Sequence, residues 1–141
     1  MTYIGIDPGA KGAVAVIKEG RAAAYPMEKL IEVLREVKEP AICCLEKVHS
    51  MPGQGVSSTF AFGTAYGFVR GAMEAFSIPY QEITPRKWKS EYGLNNDKIR
   101  SVEVCKKLFP KTSLLPSPKC RKDSDGMAEA LLMAEYARRK F

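Results

Sequence analysis

The chain has 141 residues, 45% of them hydrophobic and 27% charged. That is the composition of one folded globular domain with its own core, and it excludes a disordered or fibrous chain. No apolar run reaches membrane-spanning length, and the sequence opens directly on a strand pattern rather than a signal or transit peptide, so a cytoplasmic location is expected. The net charge of +6 is unevenly spread, because residues 86–141 hold 14 of the 22 Lys and Arg. That asymmetry points to a polyanionic partner such as DNA or RNA, although a solvated basic surface would read the same.

In chain order, Tyr3–Asp7 and Ala13–Lys18 read as two strands joined by the glycine-bearing turn Pro8-Gly9-Ala10-Lys11-Gly12. Arg21–Tyr25 reads as a third strand. Pro26 then precedes an amphipathic helix with Met27, Leu30, Ile31, Leu34 and Val37 at helical spacing, stopped before Pro40. Ala41–Glu46 is almost wholly apolar, as expected of a central strand covered on both faces. A flexible loop from His49 to Val56 leads to a long helix ending near Phe76, for which Ser57 and Ser58 are the expected caps. Gly63, Gly67 and Gly71 fall four apart on that helix. Each glycine costs a helix about 1 kcal/mol relative to alanine, so the row implies close approach of another backbone, either the sheet or a partner helix. Pro79–Ile83 reads as a fifth strand.

Two helices follow, Pro85–Tyr92 and about Asn96–Leu108, the second with Ile99, Val102, Cys105 and Phe109 on its apolar stripe. Leu114–Lys122 is a cationic loop leading to the last helix. The order is mixed α/β, in a single domain over residues 1–141. The four cysteines make no framework. Cys43 and Cys44 are adjacent on one strand and point to opposite faces, while Cys105 and Cys120 are isolated, so reduced thiols are expected and zinc is not.

Chemistry is concentrated in four acids. Asp7 and Glu46 each close an apolar strand, and Asp125 and Glu129 open the last helix. Taken singly, each has a structural explanation. Asp7 suits a turn before Pro8-Gly9, Glu46 could pair with a lysine, and Asp123 or Asp125 could cap a helix. Asp125 and Glu129 stack one turn apart, where like charges destabilise a helix by about 0.2–0.5 kcal/mol. Carboxylates gathered at strand ends and a helix start repel one another unless cations neutralise them, which implies divalent metal, magnesium first. A carboxylate-held metal pair in a cationic protein suggests phosphodiester hydrolysis.

The stretches Ile4-Gly-Ile-Asp-Pro-Gly-Ala-Lys-Gly-Ala, Leu45-Glu46 with its following loop, Gly55-Val-Ser-Ser-Thr-Phe-Ala-Phe-Gly, Thr84-Pro-Arg-Lys-Trp-Lys and Asp125-Gly-Met-Ala-Glu-Ala-Leu-Leu-Met-Ala occur in an order that spans nearly the whole chain. As a set they resemble the RuvC-type Holliday-junction resolvases, in particular their short phage and prophage relatives, within the RNase H-like superfamily. The resemblance implies a five-stranded mixed sheet flanked by helices. It also implies a tetrad of Asp7, Glu46, Asp125 and Glu129 binding two Mg2+ ions, with Mn2+ as a substitute and no nucleotide cofactor. The family's first acid on the last helix falls at Gly126 here, so Asp125 must stand in, with Asp123 as the fallback. The implied activity is symmetric paired nicking of branched DNA by a homodimer, leaving 5′-phosphate and 3′-hydroxyl ends. Phosphate contacts are expected from Lys11, Lys87, Lys89, Lys119, Arg121 and Lys122, and a wedge at the crossover from Met51. Trp88 suits either base stacking or the core. Two rival readings remain at this level: an RNase H-type nuclease acting on RNA–DNA hybrid or RNA, and a non-catalytic branched-DNA-binding protein on the same fold.

Overall fold

The computed structural model describes residues 1–141 except Glu39, Ser50 and Met51. Five strands form one sheet: β1 (Thr2–Asp7), β2 (Ala13–Lys18), β3 (Arg21–Pro26), β4 (Ala41–Glu46) and β5 (Tyr80–Ile83). Their order across the sheet is β3-β2-β1-β4-β5. The β1–β2 and β2–β3 pairs are antiparallel hairpin neighbours, while β1–β4 and β4–β5 are parallel. The helices are α1 (Leu30–Arg35), α2 (Val56–Ala75), α3 (Pro85–Ser90), α4 (Lys98–Leu108) and α5 (Asp125–Lys140). The sheet is thus mixed and flanked by helices, as expected.

The two sheet faces carry different side chains, and this decides which helix lies on which face. Ile4, Ile6, Val14, Cys43 and Leu45 face Leu30, Leu34, Val69, Ala72 and Met73, burying one side under α1 and α2. The alternate residues are small. Register places Ala24, Ala15, Gly5 and Cys44 side by side across four strands. On that face lies α5, contributing Ala128, Ala130, Ala134 and Ala137 together with larger apolar residues. Small side chains on both surfaces let the helix sit close to the sheet. Cys43 and Cys44 do point to opposite cores, and the four cysteines are free thiols.

Several local expectations need correction. The first helix is preceded by a single 3-10 turn over Met27–Lys29 and ends at Arg35, because the following amides bond three residues back rather than four. The N-cap of α2 is Gly55, with no side-chain bond, so neither Ser57 nor Ser58 caps it. Ile99 is 71% exposed rather than part of an apolar stripe; Ser101 and Cys105 take the buried positions of α4. A methyl group built at Gly63, Gly67 or Gly71 meets nothing within 4 Å among the described residues, which include the whole sheet, so these glycines do not serve helix-on-sheet packing. Trp88 is fully buried and belongs to the core, not to a stacking surface.

Gly5 is where the helix and sheet come closest. A β-carbon there would stand 2.0 Å from the Ala130 carbonyl oxygen and 2.3 Å from the Ala134 nitrogen, both backbone atoms of α5. Gly5→Ala should therefore lift α5 off the sheet and cost about 3 kcal/mol or more, at or beyond the usual upper end for overpacking. Urea unfolding followed by circular dichroism measures that loss.

Candidate active site

The same register that seats α5 also places the acids. Side chains two apart on a strand share a face, so Asp7 lies on the α5 side with Gly5, and Glu46 lies there with Cys44. Ile6 pairs with Leu45 in the parallel β1–β4 ladder, which sets Asp7 and Glu46 next to each other at the carboxyl ends of adjacent strands. In open α/β sheets that end is where ligands bind.

The first turn of α5 closes the arrangement. Ser124 is its N-cap, the hydroxyl accepting a bond from the Met127 amide at 3.1 Å. Capping is thereby satisfied without either neighbouring aspartate. Asp123 is drawn off to Lys106 at 2.5 Å, whereas Asp125 interacts electrostatically with Asp7. Between the two, Asp125 is the one that faces the other acids. Gly126 explains why no acid stands at its own position. A β-carbon there would fall 2.5 Å from the Lys11 carbonyl oxygen and 3.5 Å from Oδ2 of Asp7. One turn below Asp125, Glu129 is only 2% exposed.

Burial raises the Asp7 carboxyl well above its ordinary value, and Glu46, Glu129 and Asp125 push it further up against the opposing pull of Lys98. Glu46 is also raised, chiefly by burial, while the hydrogen bond from Trp88 acts in the opposite direction. Lys98, at the start of α4, sits among these acids. Its ammonium lies 3.1 Å from Glu129 Oε1 and 3.8 Å from Asp125 Oδ2. Partial burial opposes its charge, but Glu129, Asp7 and Asp125 together raise its pKa. Lys89 approaches Glu129 from α3, at 3.9 Å. Neither the Lys98 contacts nor the Trp88 bond to Glu46 was legible in the sequence.

The all-oxygen donor set is of the kind hard divalent cations take, and the upward shifts of Asp7 and Glu46 suit a site that such a cation would neutralise. Among the described residues, however, no three or more of His, Cys, Asp and Glu are drawn together closely enough to hold an ion as they stand. The residues fit a divalent ion in kind, with Lys98 balancing part of their charge.

Of the expected phosphate contacts, Lys11, Lys87, Lys119, Arg121 and Lys122 are exposed, and Lys89 is partly buried beside Glu129. Met51 lies outside the described residues. A cavity of about 700 Å³ is lined by Lys47, His49, Arg86, Lys89, Asn95 and Asn96 among others. No described helix is long and apolar enough to cross a membrane.

The electrostatics carry a stability consequence. A carboxyl whose folded pKa is raised costs stability once the pH exceeds its ordinary value, 3.8 for Asp7, and the cost is complete above the raised value. Without divalent metal, Asp7→Asn should therefore melt a few degrees higher than wild type at pH 7, and the difference should vanish below about pH 4. About 1 kcal/mol corresponds to ~2–8 °C in domains bracketing this size. Calorimetric melts with and without Mg2+ test this, and Mg2+ should stabilise wild type and not the variant.

No protein-family model and no curated protein matches the sequence. Solved structures do. RuvC of Thermus thermophilus in complex with a Holliday junction substrate superposes with a TM-score of 0.67 at 17% identity, covering 99% of this chain and 96% of that one. A second Thermus thermophilus RuvC structure gives 0.60 at 19% identity, with the same coverage. The chain therefore has the fold of the RuvC Holliday junction resolvases, over essentially its full length.

Proposed function

We propose that this protein is a metal-dependent endodeoxyribonuclease that resolves four-way DNA junctions by paired, symmetric nicks. The observation that carries the reading is the convergence of Asp7, Glu46, Asp125 and Glu129 at the carboxyl end of a sheet with the RuvC fold. Asp7 and Glu46 come from adjacent strands and Asp125 and Glu129 from consecutive turns of α5, so the four would hold two Mg2+ ions, with Mn2+ able to replace them. Bound ions supply the activation of water and the stabilisation of the departing 3′ oxygen that phosphodiester hydrolysis requires. Lys98 pairs with Glu129 and Asp125, and with ions held there its half-exposed ammonium would be free to pair with a phosphate oxygen of the bound strand. The products expected are 5′-phosphate and 3′-hydroxyl ends.

Surface charge and shape support branched DNA as the substrate. Lys11 lies in the β1–β2 turn, whose backbone abuts the start of α5. Lys119, Arg121 and Lys122 occupy the loop immediately before that helix, and Lys87 and Lys89 lie on α3. Backbone contacts of this kind position a duplex and make binding sensitive to salt. Paired nicking requires two sites in fixed relation, which a two-fold dimer supplies. The exposed face of α2 suits that role. Val56 and Phe60 are 88% and 77% exposed, and they lie at helical spacing with the open glycines Gly63, Gly67 and Gly71.

Labelled four-way junction, matched linear duplex and RNA–DNA hybrid, each with Mg2+, test the reading. Symmetric nicks in the junction alone are expected, falling by at least a hundredfold in Asp7→Asn and Glu129→Gln. Cleavage of the hybrid instead would make the protein an RNase H-type enzyme, and tight junction binding with no cutting would make it a binding protein. Gly67→Arg should convert a dimer to monomers in sedimentation and replace paired cuts with single nicks.

A further inference from the structure

The fully buried indole of Trp88 donates from Nε1 to Oε2 of Glu46 at 2.8 Å, joining residues 42 apart in the chain. An indole N–H only donates, so it bonds to an oxygen that does not itself present a proton to it. Satisfying a buried indole needs no carboxylate, since a main-chain carbonyl would serve as well. The path of α3 shows what this choice achieves. Ile83, the last residue of β5, pairs with Glu46, and its carbonyl accepts from the Lys47 amide. Thr84 then caps α3 with Pro85 in its first turn, so the helix starts directly beside the Glu46 strand end. Two consecutive residues of α3 reach the two acids that come from different elements: Trp88 reaches Glu46 of β4, and Lys89 reaches Glu129 of α5. The ring is itself held in place. Tyr92 meets Trp88 edge to face at 6.5 Å, and its hydroxyl donates to the Leu132 carbonyl of α5 at 2.6 Å.

We propose that Trp88 is a positioning residue: its indole N–H fixes the rotation of the Glu46 carboxylate and leaves the other oxygen for a divalent ion that these acids would hold. This rests on the metal-ion reading above. Groups that orient a metal ligand from behind in this way typically govern affinity by about 10–100-fold.

Replacing Trp88 with β-(3-benzothienyl)alanine keeps the bicyclic shape and exchanges the N–H for sulfur. Mn2+ titration by calorimetry is expected to show at least tenfold weaker binding than wild type, with a melting temperature within a few degrees; Trp88→Phe should weaken binding likewise. Because Trp88 is the only tryptophan, its indole N–H also gives a single side-chain resonance, expected to shift to saturation as Mg2+ is added to wild type and to stay still in Glu46→Gln. Unchanged Mn2+ affinity in the analogue, or an indole resonance unmoved by Mg2+ that binds wild type, would make Trp88 a core residue only. No saturable Mn2+ binding by wild type would instead overturn the metal reading itself.

Discussion

The close seating of α5 on the sheet is the constraint from which the rest follows. It depends on a row of small residues, Ala24, Ala15, Gly5 and Cys44, in which even a methyl group at Gly5 would strike the backbone of α5. One step along the same face, the row becomes Ala13 and Asp7 with Glu46 alongside, and the helix begins above it. Packing and chemistry are therefore set by one register. The apolar contacts fix the height of the helix, and the acids at its first two turns come within electrostatic reach of Asp7 at the strand end.

Placing those acids together is costly, and the surrounding charge shows how the fold tolerates it. Asp7 and Glu46 are both pushed toward the protonated form, chiefly by burial and also by other acids nearby. Lys98 and Lys89 approach Glu129 from two helices, α4 and α3. Partly buried carboxylates balanced by lysines, one of them still half exposed, form a site whose charge can be exchanged. Were a divalent cation held by these acids, the Lys98 ammonium would be free to pair with a phosphate.

How much of this the sequence disclosed follows from the range of each interaction. The strands, the five-stranded α/β order and the acids at element ends were legible, because periodicity of two and an acid closing an apolar run are local signals. The resemblance favoured Asp125 over Asp123, but the cause that keeps an acid out of position 126 was hidden. It lies in the Lys11 carbonyl, more than a hundred residues earlier in the chain, which leaves no room for a side chain at Gly126. The Trp88–Glu46 and Lys98–Glu129 contacts were equally out of reach, since nothing in the local pattern of α3 or α4 distinguishes a residue aimed at a distant acid from an ordinary core or surface one. The glycines of α2 gave the opposite error in part: the sequence offered sheet packing or a partner helix, and the open space around them removes the first. Ile99 misled because hydrophobic spacing was taken to mean burial, while the chain exposes it.

The central claim is that the four acids form a divalent-metal site which Lys98 vacates when ions bind. Anomalous diffraction from a crystal grown with Mn2+ tests it most directly. The account predicts manganese about 2.1 Å from carboxylate oxygens of Asp7, with Glu46 and the α5 acids completing the coordination and the Lys98 ammonium withdrawn from Glu129. A well-ordered crystal at saturating Mn2+ with no anomalous density at this cluster, and with Lys98 still bonded to Glu129, would contradict it.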